Sequence, residues 1–378
     1  MKSTFAIFFS IILLIYFSIN LYVYNRSAIA FQGQPIRTIF IVLFWMLVLA
    51  YPVGRILEST LHAYSPTFVV KLGSLWLATM IYLILGFLAF DLLRVIYHFT
   101  GLSFLSFVKE SRNVTVAITY AVALVTVVAG YINAANPAIT QLTIPVEKPR
   151  ELAHPLKLVA VSDVHLGTII ANGRLSRMVK LINAQDPDII LLVGDTFDED
   201  LGPVIRNNMG QQLQMLRSKM GIFAVTGNHE YYGNPTVAVK YLEDHGIKVL
   251  QDTTVVVGGL INLIGRNDRQ SISMLHKERK PLDELVKEAN PKLPIVLMDH
   301  QPFHLEEAEQ NGVDLQLSGH THNGQLWPFN YITRAIFEVS RGFYKKGNTR
   351  YYVSTGYGTW GPPVRTGNRP EVVVITLE

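Results

Sequence analysis

Five short stretches in the second half of the chain end in residue types that bind metals or move protons. They are S-D-V-H-L-G (162–167), G-D-T-F-D (194–198), G-N-H-E (227–230), D-H-Q-P (299–302) and G-H-T-H-N-G (319–324). Asp163, Asp195 and Asn228 offer oxygen donors, and His165, His300, His320 and His322 offer imidazoles. That mixture, in that order, is what a two-metal hydrolytic site needs.

Such side chains must be held by something rigid. An apolar run that reads as a buried strand precedes each motif: residues 156–161, 188–193, 222–226, 293–298 and 314–317. In open α/β sheets, ligand sites form at the carboxyl ends of strands, where loops converge and helices cover the faces. Asp163 and His165 are two apart, so an extended backbone would point both the same way, and His320 and His322 would repeat that geometry. Asn228 and His229 are adjacent, so they should diverge.

The five motifs, in this order and without a gap, resemble the calcineurin-like metallophosphoesterase superfamily, whose pattern is D-x-H, G-D-x-x-D, G-N-H-[DE], H and G-H-x-H. The resemblance covers 156–378 and implies a four-layer α/β sandwich of two mixed β-sheets flanked by helices. By motif position it implies that Asp163, His165 and His322 hold one metal, that Asn228, His300 and His320 hold the other, and that Asp195 bridges them. The implied cofactors are two divalent transition-metal ions, Mn, Fe, Zn or Co, since imidazole-rich ligation suits these better than Ca or Mg. His229 is left over, placed to protonate the leaving group. Asp198 and Glu230 are expected to orient ligating or catalytic groups.

Outside that constellation, a lone histidine is more often a satisfied structural residue, and His62, His98, His154, His245, His276 and His304 are read so. Asp299 reads equally well as a solvated carboxylate at a strand end. Further on, G-Y-G-T-W-G-P-P-V-R (356–365) looks like the closing loop of the membrane-associated bacterial branch of the superfamily. By that likeness Tyr357, Trp360 and Arg365 would form a substrate wall, with Arg365 able to pair with phosphate. The alternative is that the glycines and prolines simply fold the loop back over the sheet.

The first half is of a different class. Hydrophobic residues make up 49% of the chain, and uncharged runs of 23, 17, 19 and 34 residues lie between Lys2 and Arg26, Arg37 and Arg55, Lys71 and Asp91, and Arg112 and Glu147. About 20 residues of helix cross the hydrocarbon core. Four transmembrane helices are therefore expected near 4–24, 38–56, 72–90 and 114–132. The second is the shortest, interrupted by Pro52 and Gly54. The first is too long for a usual signal-peptide core and is read as retained. Asp91 and Arg94, three apart, read as an interfacial pair.

Three domains follow: a membrane domain over 1–132, a Pro-rich tether over 133–155 with an edge strand near 139–146, and the catalytic domain over 156–378. The tether would keep the catalytic mouth close to the bilayer. Residues 1–146 carry 8 Lys/Arg against 3 Asp/Glu and the remainder 25 against 26, so the basic excess belongs to the membrane part and no nucleic-acid face is suggested. Lys/Arg near the helix ends divide five against five, so charge does not orient the helices. With no cysteine, disulfides and thiol chemistry are excluded.

The expected protein is an integral protein of a bacterial inner membrane, with a lipid bilayer and a phosphate ester as partners and no obligate protein partner. It hydrolyses a phosphodiester, pyrophosphate or phosphomonoester. A tethered site favours a lipid-linked substrate, such as a UDP-diacylglucosamine-type molecule or a phospholipid. The alternative is an inert metal-binding scaffold or a sensor on a helix bundle.

Overall fold

The computed structural model describes residues 2–60, 67–146 and 155–378, and the chain divides into two compact units, Met1–Tyr131 and Ile132–Glu378. Long helices run over Lys2–Ser27, Ile36–Thr60 and Thr67–Thr100 in the first unit and over Arg112–Ala134, whose last turn belongs to the second. Among the described residues, three are long and apolar enough to cross a membrane: Ile36–Glu58, Thr67–Thr100 and Arg112–Ala134. The first expected span falls in Lys2–Ser27, part of whose side chains lies outside the described residues.

Pro52 and Gly54, expected to interrupt the second helix, lie inside it, and the helix continues to Thr60. A proline removes the hydrogen bond to the carbonyl four residues back. Here that carbonyl, Val48 O, accepts from the Tyr16 hydroxyl at 2.6 Å, so no polar group is orphaned in an apolar setting. Asp91 is more than half of a pair with Arg94: it meets Arg94 Nη1 at 2.6 Å, Arg26 Nη2 at 2.7 Å and the Tyr22 hydroxyl at 2.7 Å.

The second unit is built on two six-stranded sheets. The first is ordered β1 (Ala138–Ile144), β12 (Glu371–Leu377), β2 (Leu156–Val161), β3 (Ile189–Val193), β4 (Ile222–Val225) and β5 (Lys248–Val249). The second runs β10 (Gly342–Lys346), β11 (Thr349–Val353), β9 (Leu315–Ser318), β8 (Ile295–Met298), β7 (Ile261–Gly265) and β6 (Thr253–Val257). Strands β2 to β5 are mutually parallel, as are β7, β8, β9 and β11, whereas β12 runs against β2, β6 against β7 and β10 against β11. Both sheets are therefore mixed. Strands β3, β4 and β8 are continuous apolar runs because both their faces are covered.

One core joins the sheets face to face, with Leu158, Leu191 and Val373 of the first meeting Leu263, Val296 and Leu315 of the second. A second core packs helices Asn172–Asn183 and Pro235–Asp244 on the outer face of the first sheet, and a third packs Leu282–Lys287 and Leu305–Gln310 on the outer face of the second. The result is a helix–sheet–sheet–helix sandwich. Strands β2, β3, β4, β8 and β9 each deliver one motif at their carboxyl end. The expected edge strand is β1, paired in parallel with β12 along its whole length. Of the expected tether, 147–154 lies outside the described residues, as do His62, His154, Lys148 and Arg150.

Candidate metal centre

The five strand ends bring the seven donors into one cluster. Asp163, His165 and His322 can aim one ligand atom each at a common point, and so can Asp195, His300 and His320, with atoms inside 4.8 Å of one another. His165 Nε2 and His322 Nε2 are 3.0 Å apart, and His322 Nε2 is 3.4 Å from Asp163 Oδ1. In the second group, His300 Nε2 lies 3.1 Å from Asp195 Oδ2, and His320 Nδ1 lies 2.7 Å from Asn228 Oδ1. Asp195 also lies 3.9 Å from His165 Nε2, between the groups.

The means of convergence differs from the alternation expected of extended chain. Asp163, His165, Asp195, His320 and His322 all take left-handed backbone, with φ from 45° to 68°. That conformation is costly for residues with a Cβ and is found where surrounding structure overdetermines it. Here the bracing is visible. The Asp163 amide donates to Gly194 O, the His165 amide to Asp195 O, and the His320 amide to both Asp163 carboxylate oxygens at 2.9 and 3.1 Å. Gly194 sits at φ +80° with its missing Cβ facing the His300 ring, so any side chain there would displace a donor.

Three of the four donor imidazoles are neutral, the form that cation binding requires. Burial pushes His165 down to about 3 and His320 to about 4, and with His165 and Arg365 nearby it holds His322 well below the usual range. His300 Nδ1 donates to Val193 O at 2.8 Å, so its buried Nε2, 3.1 Å from Asp195 Oδ2, is the atom turned to the carboxylates. A positive charge is favoured between Nε2 and that oxygen, whether a proton or a metal cation supplies it. Burial disfavours a charged His300, but Asp195 and Asp163 outweigh it and raise the ring well above its ordinary value. For Asp195, burial is in turn outweighed by His300 and His229, which hold the carboxyl well below its ordinary range. Burial lifts Asp163 to about 6, with His300 pulling it down and Asp195 pushing it up. His165 Nδ1 is also buried without a hydrogen-bond partner. The residues fit divalent cations.

His229 belongs to neither of these groups of three, although one of its ring nitrogens lies within 4.8 Å of donor atoms of His165 and Asp195. Its amide donates to Asp195 Oδ1 at 2.9 Å, and its Nδ1 lies 3.5 Å from Asp198 Oδ1 and 3.9 Å from Glu199 Oε1. Burial opposes a charge on this ring, but Asp195, Asp198 and Glu199 prevail and raise it to about 9. Glu230 faces away from the donors. Its carboxylate accepts from the amides of Gly227, Asp195 and Phe197 at 2.7, 3.2 and 2.9 Å, tying the β3 and β4 loops together.

The closing loop differs from its expected form. Arg365 is fully buried and donates to Thr355 O, Gly358 O, Asn368 Oδ1 and His322 Nδ1. Its guanidinium is spent on the loop and on a candidate ligand, so it does not reach out to phosphate. Tyr357 is likewise buried in the core under the first sheet, its hydroxyl donating to Arg174 O at 2.9 Å. Of the three expected wall residues only Trp360 is exposed, with its ring 6.3 Å from that of His229. Asp299 is no solvated carboxylate: it is buried and paired with Arg266 at 3.2 Å and Arg279 at 2.5 Å. Sequence reading missed those arginines, and also Asn368, whose amide donates to His322 O, because none of them belongs to a motif.

A family model for calcineurin-like phosphoesterases matches residues 156–324, which contain all seven donors and His229. An uncharacterized metallophosphoesterase of Aquifex aeolicus is 33% identical over 225 residues, 59% of this chain and 85% of that one. A bovine transmembrane protein with a metallophosphoesterase domain is 31% identical over 71% of this chain and 64% of its own length. An uncharacterized metallophosphoesterase of Campylobacter jejuni is 28% identical over 99% of both chains, the apolar helices included. On the motifs, the sandwich and these relatives, the chain belongs to the calcineurin-like phosphoesterase family and is a metal-dependent phosphoester hydrolase.

Proposed function

We propose that this chain hydrolyses a lipid-linked phosphodiester or pyrophosphate, with two divalent cations held by Asp163, His165 and His322 and by Asn228, His300 and His320, and with Asp195 shared between them. When bound, such cations polarise phosphoryl oxygens and acidify water. The protein's own share is positioning and proton transfer. The left-handed loops fix the donors before substrate arrives, and burial keeps bulk water from competing. His229, charged and backed by Asp198, gives a proton to the departing oxygen.

The observation that carries this reading is the gathering of seven donors in two adjoining groups with His229 beside them, a histidine outside the donor set that holds a proton at neutral pH. The amphiphilic substrate is supported by the apolar helices of the same chain and by Trp360, an exposed indole next to His229 that offers an apolar wall. The test is full-length protein in liposomes, given a phospholipid or lipid pyrophosphate and the matching water-soluble headgroup ester. A higher kcat/KM for the lipid is expected. Equal values, or cleavage of the soluble ester alone, would return the substrate to the aqueous class.

A further inference from the structure

Beside the metal centre lies a stretch that catalysis does not use. After His322 the chain turns into the helix Asn330–Ile336, and Trp327, Phe329, Tyr331, Ile332 and Ile336 are all exposed. A seven-residue helix in a soluble domain normally turns its apolar side chains inward. This one turns Asn330 in and its apolar residues out. Contiguous exposed apolar surface marks an interaction site.

Three observations identify the occupant. The first is composition: Trp, Tyr and Phe interspersed with Ile suit the boundary between lipid headgroups and acyl chains, where rings that are apolar at one end and polar at the other collect. The second is charge, since residues 327–346 carry Arg334, Arg341, Lys345 and Lys346 against Glu338 alone, a basic excess that attracts anionic headgroups. Glu338 is itself paired with Lys346 at 3.0 Å. The third is continuity. The Trp327 amide donates to the Thr366 hydroxyl at 2.9 Å, and the carbonyls of the flanking Arg365 and Asn368 accept from Asn133 Nδ2 at 2.9 and 2.7 Å. Asn133 lies in the last turn of Arg112–Ala134, one of the helices apolar enough to span a membrane. These bonds all lie within the second unit, whose first residues are the last turn of that helix.

We propose that residues 327–346 form a docking element that lays Trp327, Phe329, Tyr331, Ile332 and Ile336 into the surface of an anionic bilayer, next to the metal centre. Its apolar face would enter ~5–10 Å, to the headgroup–acyl boundary. A phosphate ester at the lipid surface would then meet the site without leaving the bilayer. That purpose rests on the lipid-substrate reading, whereas the surface itself does not.

The chain has no cysteine, so single labels are clean. Full-length protein carrying Ile332→Cys, Ile336→Cys or, as a control on the far edge of the same sheet, Val256→Cys is spin-labelled and placed in nanodiscs containing phosphatidylglycerol. Collisions with oxygen and with a water-soluble nickel chelate are then read by electron paramagnetic resonance. Labels at 332 and 336 should gain oxygen collisions and lose nickel collisions, while the label at 256 does the opposite. Purely zwitterionic discs should weaken the shielding.

Labels at 332 and 336 as open to nickel as the control overturn the proposal. So does shielding from both reagents, which means a protein contact such as a second copy. Equal shielding in both kinds of disc overturns the charge argument. Retained turnover of a small diester shows that each labelled protein is folded. Because the depth reading uses no turnover, shielded labels with no lipid cleavage sink only the substrate reading. Wet labels with lipid cleavage sink only this one.

Discussion

At the scale of the residue, the proposal assigns different work to two neighbours in space. His229→Ala should keep its metals and lose roughly 10²–10⁴-fold in rate, most with poor leaving groups, as expected for a proton donor. The alkaline limb of its pH–rate profile should vanish, because a raised pKa supplies the acid form at neutral pH and loses it as pH climbs. Equal losses across leaving groups would remove His229 from that role. Asp195→Asn should lower metal content as well as rate, since two cations would face each other with less compensating charge; elemental analysis reads the difference. Arg365→Met should act on stability, because it leaves buried carbonyls unpaired at roughly 1–3 kcal/mol each; a raised KM at unchanged Tm would contradict the buried role found here. Tyr357 gives a pH signature. Burial raises its hydroxyl from 10.0 to about 12, so the neutral form contributes stability that is whole below about 10 and is lost as pH rises through about 12. Tyr357→Phe should flatten that alkaline loss of Tm. The donors were legible because ligation restricts residue type and spacing. Arg365 and Tyr357 were left between two readings because an exposed clamp and a buried brace use the same side chains, and only packing separates them.

At the scale of the element, the motif-bearing strands were legible as largely apolar runs, since parallel strands covered on both faces have little polar side to vary. What the pattern hid was the bend after each strand. Period-two reasoning assumed extended chain through Asp163–His165 and His320–His322, whereas left-handed residues held by amides from other loops do the aiming. Strand β1 was legible from the alternation within the tether, and it pairs with β12 over its whole length. A fragment starting at residue 145 therefore lacks a strand and bares the edge of β12, and unpaired edges invite aggregation. A fragment starting at 132 should be markedly more soluble and melt higher than one starting at 145. Equal melting would mean that β1 adds nothing to the sheet. Neither the hairpin of β10 and β11 nor the helix Asn330–Ile336 was foreseen, because outward apolar residues carry no core-facing period.

At the scale of the whole molecule, apolar helices and a phosphoesterase sandwich share one chain, and a relative resembles it over 99% of its length, so the pairing is not peculiar to this sequence. Composition separated the halves at once: charge is sparse before residue 146 and ordinary after it. Composition has no term for what the helices serve, and the substrate is likewise not written in ligand types. The central claim is that the seven donors assemble a two-metal phosphoesterase, and one measurement tests it most directly. Full-length protein in detergent is stripped by a chelator, reloaded with Mn²⁺ and followed by metal analysis together with hydrolysis of an aryl phosphodiester. The account predicts two Mn²⁺ per chain, activity that appears with their binding, and loss of both binding and activity when His320 and His322 are replaced by Ala. Folded protein that takes up two ions yet turns over no phosphodiester, pyrophosphate or monoester, or that is equally active after stripping, would contradict it.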